Sequence, residues 1–168
     1  TTTQGVAGGG LIAGNLATTE IDGLNYADDA AVAVAATLTP KRKLSASCST
    51  SDKGYVAGGV DGASNLSSME GFTFATKATF VVSATIVTAK SGVVGGVSSA
   101  DAYVFGGTVG AVYQAEVDKM DFLTETISNL ATILATPRQT AGGISAPSAI
   151  YVGAGEASGS AASTVIEE

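Results

Sequence analysis

The sequence predicts an all-β fold assembled from repeats, and three observations carry that expectation. Four phrases, EIDGLNYAD, SMEGFTFAT, EVDKMDFLT and VIEE, align on Ile21, Met69, Val117 and Ile166, at spacings of 48, 48 and 49 residues. A period of this length marks architectures in which each unit buries its apolar face against the next. Within the phrases apolar side chains alternate: Leu24 with Tyr26, Phe72 with Phe74 and Met120 with Phe122 fall on one face of an extended chain, which is the period of a strand. The short apolar runs end in glycine doublets, where the backbone is free to take a positive φ or to approach a neighbour closely.

Taken in chain order, the units run over 1–43, 44–91, 92–139 and 140–168, the last one partial, within a single repeat domain. SASCSTSD, VGGVSSAD and GGISAPSA occupy equivalent places ahead of the glycine phrases. Those phrases are GYVAGG with Tyr55, Gly58 and Gly59, AYVFGG with Tyr103, Gly106 and Gly107, and a weaker variant with Gly153 and Gly155; the first unit has Gly8-Gly9. Next comes the acid-bearing strand, in which Asp22, Glu70, Asp118 and Glu167 recur and which reaches Phe74 and Phe122 in the middle units. A turn with a basic residue follows, as TPK with Lys41, TAK with Lys90 and TPR with Arg138. In the third period four strands are read, at TAGGIS, AYVFGG, AEVDKMDF and TISNLATIL. The last also has Ile127, Leu130, Ile133 and Leu134 at helical spacing, but its counterpart KATFVVSATIVT is rich in β-branched residues, which favours a strand.

Composition sets limits on function. Hydrophobic residues at 45% suffice for a core, while Gly is 22, charged residues are 14%, and Trp and His are absent, so small and β-branched side chains carry the fold. A net charge of −7 and a pI near 4.4 speak against nucleic acid as a partner, because that needs clustered Lys and Arg. PKRK, Pro40 to Lys43, is the one basic cluster and reads as a solvated turn. Cys48 stands alone, so no intrachain disulfide forms and the thiol is expected to act as a small buried hydrophobe. The most apolar run, Phe80 to Ala89, is far shorter than the roughly 20 residues that span a bilayer, and no membrane insertion is expected. No basic segment precedes an apolar run, so no signal peptide is expected in this sequence.

The candidate chemistry is sparse. Without histidine and with one cysteine, the common zinc and copper centres and a Ser-His arrangement are excluded. Asp22, Glu70, Asp118 and Glu167 recur once per unit, whereas a catalytic site is unique. They are therefore read as structural groups that pair with Lys41, Lys90 and Arg138 across unit boundaries. Asp28-Asp29 and Asp121 are the carboxylates left for a hydrolase; Asp28-Asp29 and Asp61 lie in turn-like stretches without the spacing of a calcium loop and read as turn residues bonding their own backbone. GAGEASG lacks the lysine and following helix of a phosphate loop, and Asn65-Leu66-Ser67 fits a glycosylation sequon. The loops LIAGNLAT, VDGASNLSS and TVGAVYQA hold one aromatic residue, Tyr113, which is little for a sugar platform. No enzyme activity, cofactor or metal is expected.

Four short strands in a period of this length are the signature of a propeller blade. The order apolar-Tyr-Val-x-Gly-Gly, then VDKMDF with TET, then TPR, then a glycine-containing strand resembles the kelch repeat of β-propellers. That resemblance covers essentially the whole chain, as about three and a half four-stranded repeats. The kelch pattern carries a Trp after its third strand, and here aliphatic residues such as Leu130 stand nearby instead. The phrases are also similar to repeat arrays of phage tail and other virion proteins. These resemblances imply a structural or interaction protein of a virion, such as a tail fibre, tail or capsid decoration, in the particle or outside the cell. The alternative they leave is an adhesin propeller that binds a carbohydrate or host receptor. With the glycine phrase as second strand, the units hold three, four, four and three strands, too few for a closed ring of about six or seven blades. An open array, or a ring completed by another chain, follows. Its contacts are expected near Gly5 to Gly10 and Ser163 to Glu168, with a second copy or a neighbouring virion subunit.

Overall fold

The computed structural model describes residues 4–130, 134–157, 161–162 and 166–167, and among them every regular element is a strand. The first unit holds β1 (Gln4–Gly8), β2 (Leu11–Ile12), β3 (Leu16–Ala17), β4 (Ile21–Asn25) and β5 (Ala30–Val32); β1-β4-β5 form one sheet and β2-β3 a ribbon. β6 (Ala46–Ser49), β7 (Lys53–Ala57), β8 (Ser68–Thr73) and β9 (Ala78–Thr85) form a four-stranded meander in chain order. The third unit contributes β10 (Val94–Val97), β11 (Asp101–Phe105), β12 (Thr108–Val109), β13 (Val112–Tyr113), β14 (Val117–Asp121) and β15 (Ile127–Asn129), with sheet order β10-β11-β14-β15 and a β12-β13 ribbon. β16 (Arg138–Gln139), β17 (Gly142–Ser145), β18 (Ile150–Gly153), β19 (Glu156–Ala157), β20 (Ala161–Ala162) and β21 (Ile166–Glu167) make two further sheets, β17-β18-β21 and β16-β19-β20.

All strand pairs are antiparallel, and corresponding pairs share a register. Gly8 lies opposite Ile21, Ala57 opposite Met69, Phe105 opposite Val117 and Gly153 opposite Ile166. The four unit sheets thus hold three, four, four and three strands. Alternation explains why each forms: in β11, Ala102 and Val104 are buried while Tyr103 and Phe105 are half-buried. A central cluster of Cys48, Tyr55, Met69, Val82, Ala102, Val104 and Met120 joins the second and third sheets. A smaller one, Ile21, Leu38 and Phe72 with Val6 and Val56, joins the first and second. Burying a side chain such as Met120 stabilises by about 1.5–3 kcal/mol, so each sheet depends on its neighbour.

The first strands of successive sheets touch, β10 packing against both β6 and β17. Their approach is close enough that a Cβ on Gly95 would collide with the Ser47 carbonyl, and one on Gly143 with the Gly95 carbonyl.

Several expectations need correction. TAGGIS supplies β17, the first strand of the sheet after the third, whose own first strand is Val94–Val97. The strand expected over TISNLATIL extends only over Ile127–Asn129; residues 131–133 lie outside the described residues, and Leu134 is buried. Two stretches read as loops form the β2-β3 and β12-β13 ribbons. The contact expected at 163–165 and 168 also lies outside the described residues.

Candidate functional site

Each glycine doublet ties the end of its own unit to the sheet edge. Gly58 and Gly59 have φ of 62° and 95°, and Gly106 and Gly107 of 58° and 95°. In the first unit this conformation falls on Gly9 and Gly10 (72° and 122°), one residue beyond the Gly8-Gly9 expected from sequence; in the fourth, Ala154 and Gly155 take it (59° and 86°). The second member of each doublet donates its N–H to one carbonyl: Gly10 to Arg42 (2.9 Å), Gly59 to Lys90 (2.9 Å) and Gly107 to Arg138 (2.8 Å). Thus the chain at the end of a unit is held beside the doublet that opened it.

The residues so held are cations with no solvent exposure: Arg42, Lys90 and Arg138 are each 0% exposed. Lys41, the residue assigned this place from the TPK turn, is exposed instead, and Arg42 is the buried cation of the first unit. Arg42 Nη1 donates to the carbonyls of Gly58 and Ser68, both at 3.0 Å, and Arg138 Nη1 donates to that of Ala154 at 3.3 Å. Both side chains therefore reach the doublet position of the following unit. Burial holds the Arg42 guanidinium below its ordinary pKa, although Glu70 favours the charge.

The recurring acids meet these cations from the next sheet. Glu70 Oε2 lies 3.9 Å from Arg42 Nη2, and Asp118 Oδ2 lies 3.0 Å from Lys90 Nζ, with Glu116 at 3.6 Å. The Lys90–Asp118 contact falls outside hydrogen-bond angles, so charge attraction holds it. Each acid also accepts an amide from the preceding unit, Thr39 N–H to Glu70 at 2.7 Å and Val87 N–H to Asp118 at 3.4 Å. Burial raises the Glu70 pKa, and the Thr39 amide and Arg42 offset part of that rise. The counterpart in the first sheet, Asp22, pairs with Ala7 across β1 and β4 and is exposed. Glu167 takes the matching backbone place opposite Val152.

A second contact between sheets is aromatic. Tyr55 is buried, stacks on Phe122 at 5.7 Å between ring centroids, meets Phe80 edge-on at 6.1 Å, and donates its hydroxyl to Glu125 at 3.0 Å. Burial, then the hydrogen bond to Glu125, pushes the Tyr55 pKa up. Lys53 lies 2.8 Å from the same carboxylate and 5.0 Å from the centre of the Phe80 ring. Tyr103 stacks with Phe105, and Phe74 meets Phe72 edge-on. Cys48 is buried against the carbonyls of Gly96 and Tyr103, and burial lifts its thiol to about 11.

Three of the carboxylates considered for catalysis or calcium, Asp28, Asp61 and Asp121, serve turns. Asp28 accepts the Ala30 amide; Asp61 accepts those of Ala63 and Ser64; Asp121 accepts those of Leu123 and Thr124 and the Thr124 hydroxyl. Turn amides hold Asp61 and Asp121 below the usual carboxylate range, Ser64 and Ala63 for the first and Thr124 for the second. Among the described residues no group of three or more Cys, Asp or Glu side chains is placed to hold a metal ion, and no helix is long and apolar enough to cross a membrane. The sequon Asn65 donates its side-chain amide to the Thr108 carbonyl at 3.0 Å, so it links two units.

Sequence reasoning missed Arg42, Glu116 and Glu125. The spacing of Arg42, Lys90 and Arg138, 48 residues each time, is the signal that separates Arg42 from its neighbours. Comparison with known families finds no family that matches this chain, and no curated protein matches it.

Proposed function

We propose that this chain is a non-enzymatic structural and interaction component, an array of kelch-like propeller blades serving in a virus particle and assembling with copies of itself or with neighbouring subunits. The observation that carries this reading is where the charge is placed. Arg42, Glu70, Lys90, Asp118 and Arg138 are all buried, and they are distributed along the boundaries between successive sheets instead of converging on one cleft. That distribution suits a stacking device, whereas perturbed groups gathered in one cleft mark catalysis. The side-by-side packing of β6, β10 and β17 supports inner strands ranged about an axis. The virion setting rests on the resemblance of the repeated phrases.

Exposed positions on the sheets supply the means of assembly. All four residues of β17 are exposed, with Ile144 at 69%, and Leu24 on the first sheet is 42% exposed. Native mass spectrometry and light scattering at micromolar concentration test the reading: species at multiples of the 16.4 kDa chain are expected. A sharp monomer at every concentration overturns self-assembly. Saturable recognition of one sugar class on a glycan array would replace the scaffold with an adhesin.

A further inference from the structure

The buried cation of the second unit differs from its two counterparts in being a lysine. Arg42 donates to the Gly58 and Ser68 carbonyls, and Arg138 to that of Ala154. Lys90 Nζ is as deeply buried, yet no described residue gives it a hydrogen bond. It faces two carboxylates instead, Asp118 Oδ2 at 3.0 Å and Glu116 Oε2 at 3.6 Å, and among the described residues neither oxygen has a hydrogen-bond partner. Charges taken out of water without such bonds keep much of their desolvation cost. Lysine also differs in chemistry: an amine that gives up a proton is a nucleophile, whereas a guanidinium keeps its proton.

Both groups are fixed through their backbones. The Lys90 N–H donates to the Leu66 carbonyl at 3.3 Å, and the Lys90 carbonyl accepts the Gly59 N–H at 2.9 Å. Asp118 lies within β14, paired with Val104 of β11 and Asn129 of β15. Its Oδ1 accepts the Val87 N–H at 3.4 Å and the Asn129 side-chain amide at 3.2 Å. The two oxygens are therefore distinguished. Oδ1 is held by donors, as the oxygen of a tetrahedral intermediate must be, and Oδ2 faces the amine. Glu116 connects the pair to water, its side chain being 36% exposed while those of Lys90 and Asp118 are 0% and 1% exposed.

We propose that Lys90 and Asp118 join in an amide bond, formed once by the folded chain without any added reagent, with Glu116 as the proton relay. One proton passes from the Lys90 ammonium to Asp118 Oδ2. The nitrogen lone pair so freed bonds to Cγ as the carbonyl π pair moves onto Oδ1. Glu116 takes a second proton from Nζ and delivers it to Oδ2. The Oδ1 pair then restores the carbonyl, the Cγ–Oδ2 bond breaks, and Oδ2 leaves as water with both protons. Nζ keeps one hydrogen, and Glu116 ends as it began. Positioning of the two groups by their strands and turns supplies the drive of an intramolecular reaction. The product removes two buried charges and ties the end of the second unit covalently to the third sheet. This bond goes beyond the scaffold reading and holds whether or not the chain self-assembles.

The test is the mass of the full chain, folded, then denatured and weighed intact, and its map after trypsin. The parent should fall short of its sequence mass by one water. Residues 78–119 should appear as a single peptide, uncut after Lys90 and lighter by the same water. Lys90→Arg, which installs the side chain found in the neighbouring units, should fold and show the full mass. Glu116→Gln should slow the loss of water about a hundredfold, the contribution of a general acid and base, when the linked fraction is sampled over time after a pulse of cell-free synthesis. That variant keeps Lys90 and Asp118 as an ion pair, so it is the chain in which their charges are weighed against apolar side chains. A folded parent at full sequence mass overturns the proposal. So does a loss of water that persists in Lys90→Arg, which would place it at an aspartate followed by glycine, Asp22 or Asp61. If Lys90→Arg fails to fold, the tryptic map decides alone, and cleavage after Lys90 in the lighter chain overturns the bond. A Glu116→Gln chain that closes as fast as the parent overturns the relay.

Discussion

Gly106 and Gly110 take nearly the same backbone conformation, φ 58° and 59°, in different surroundings. A Cβ at Gly106 would lie 2.5 Å from the Arg138 carbonyl, whereas one at Gly110 would meet nothing within 4 Å. The pair therefore separates conformational strain from steric conflict. Gly110→Ala should cost about 1–2 kcal/mol, the left-handed penalty of an L-residue. Gly106→Ala should cost clearly more, because it also displaces the carbonyl that anchors the end of the unit. Urea denaturation of both variants checks this, and equal losses would mean that backbone conformation alone calls for glycine at position 106. Ala154 shows that the penalty can be met, at φ 59°.

At the scale of the sheets, the boundary between the second and third is locked by one buried ion pair, Lys90 with Asp118. Removing one partner from such a pair leaves an uncompensated charge and costs about 3–5 kcal/mol, whereas an apolar replacement of both is often close to neutral. Lys90→Met and Asp118→Leu should each be strongly destabilising, and the double variant should recover most of the loss. Strictly additive losses in thermal or urea unfolding would remove the coupling. The strands that flank this pair were legible in the sequence, because alternation and a period of 48 residues both mark them. The β2-β3 and β12-β13 ribbons were not, since two-residue strands carry no periodic signal. Two slips came from local ambiguity. Gly8-Gly9-Gly10 permits two doublets, and Lys41-Arg42-Lys43 three cations; only contact with the next sheet selects among them.

For the molecule as a whole, acid acts on two sets of carboxylates with opposite sign. Glu70 is buried and its folded pKa is raised; its protonated form therefore favours the fold, a contribution fully present below the unfolded value and lost as pH rises through the folded one. Asp61 and Asp121 have folded values below the ordinary 3.8, held there by turn amides; their contribution is present above that value and lost as pH falls through the folded one. From pH 7 to about 4.5 the melting temperature should accordingly hold or rise, and it should fall only below about 3.8. Over the same interval the net charge of −7 approaches zero near pH 4.4, which weakens repulsion between copies, so assembly and stability should both be favoured by mild acid. Glu70→Gln isolates the first effect, since a neutral isostere at this buried position removes the titration while keeping an acceptor for the Thr39 amide. Its melting temperature at pH 7 should lie close to or above that of the parent chain, because Arg42 keeps the Gly58 and Ser68 carbonyls as acceptors, whereas Lys90 has no hydrogen-bond partner beside Asp118, and the upper limb of the pH profile should flatten. A parent melting temperature that falls steadily from pH 7 to pH 5, or a Glu70→Gln profile with the parent's slope, would mean that the attraction of Arg42 at 3.9 Å outweighs burial.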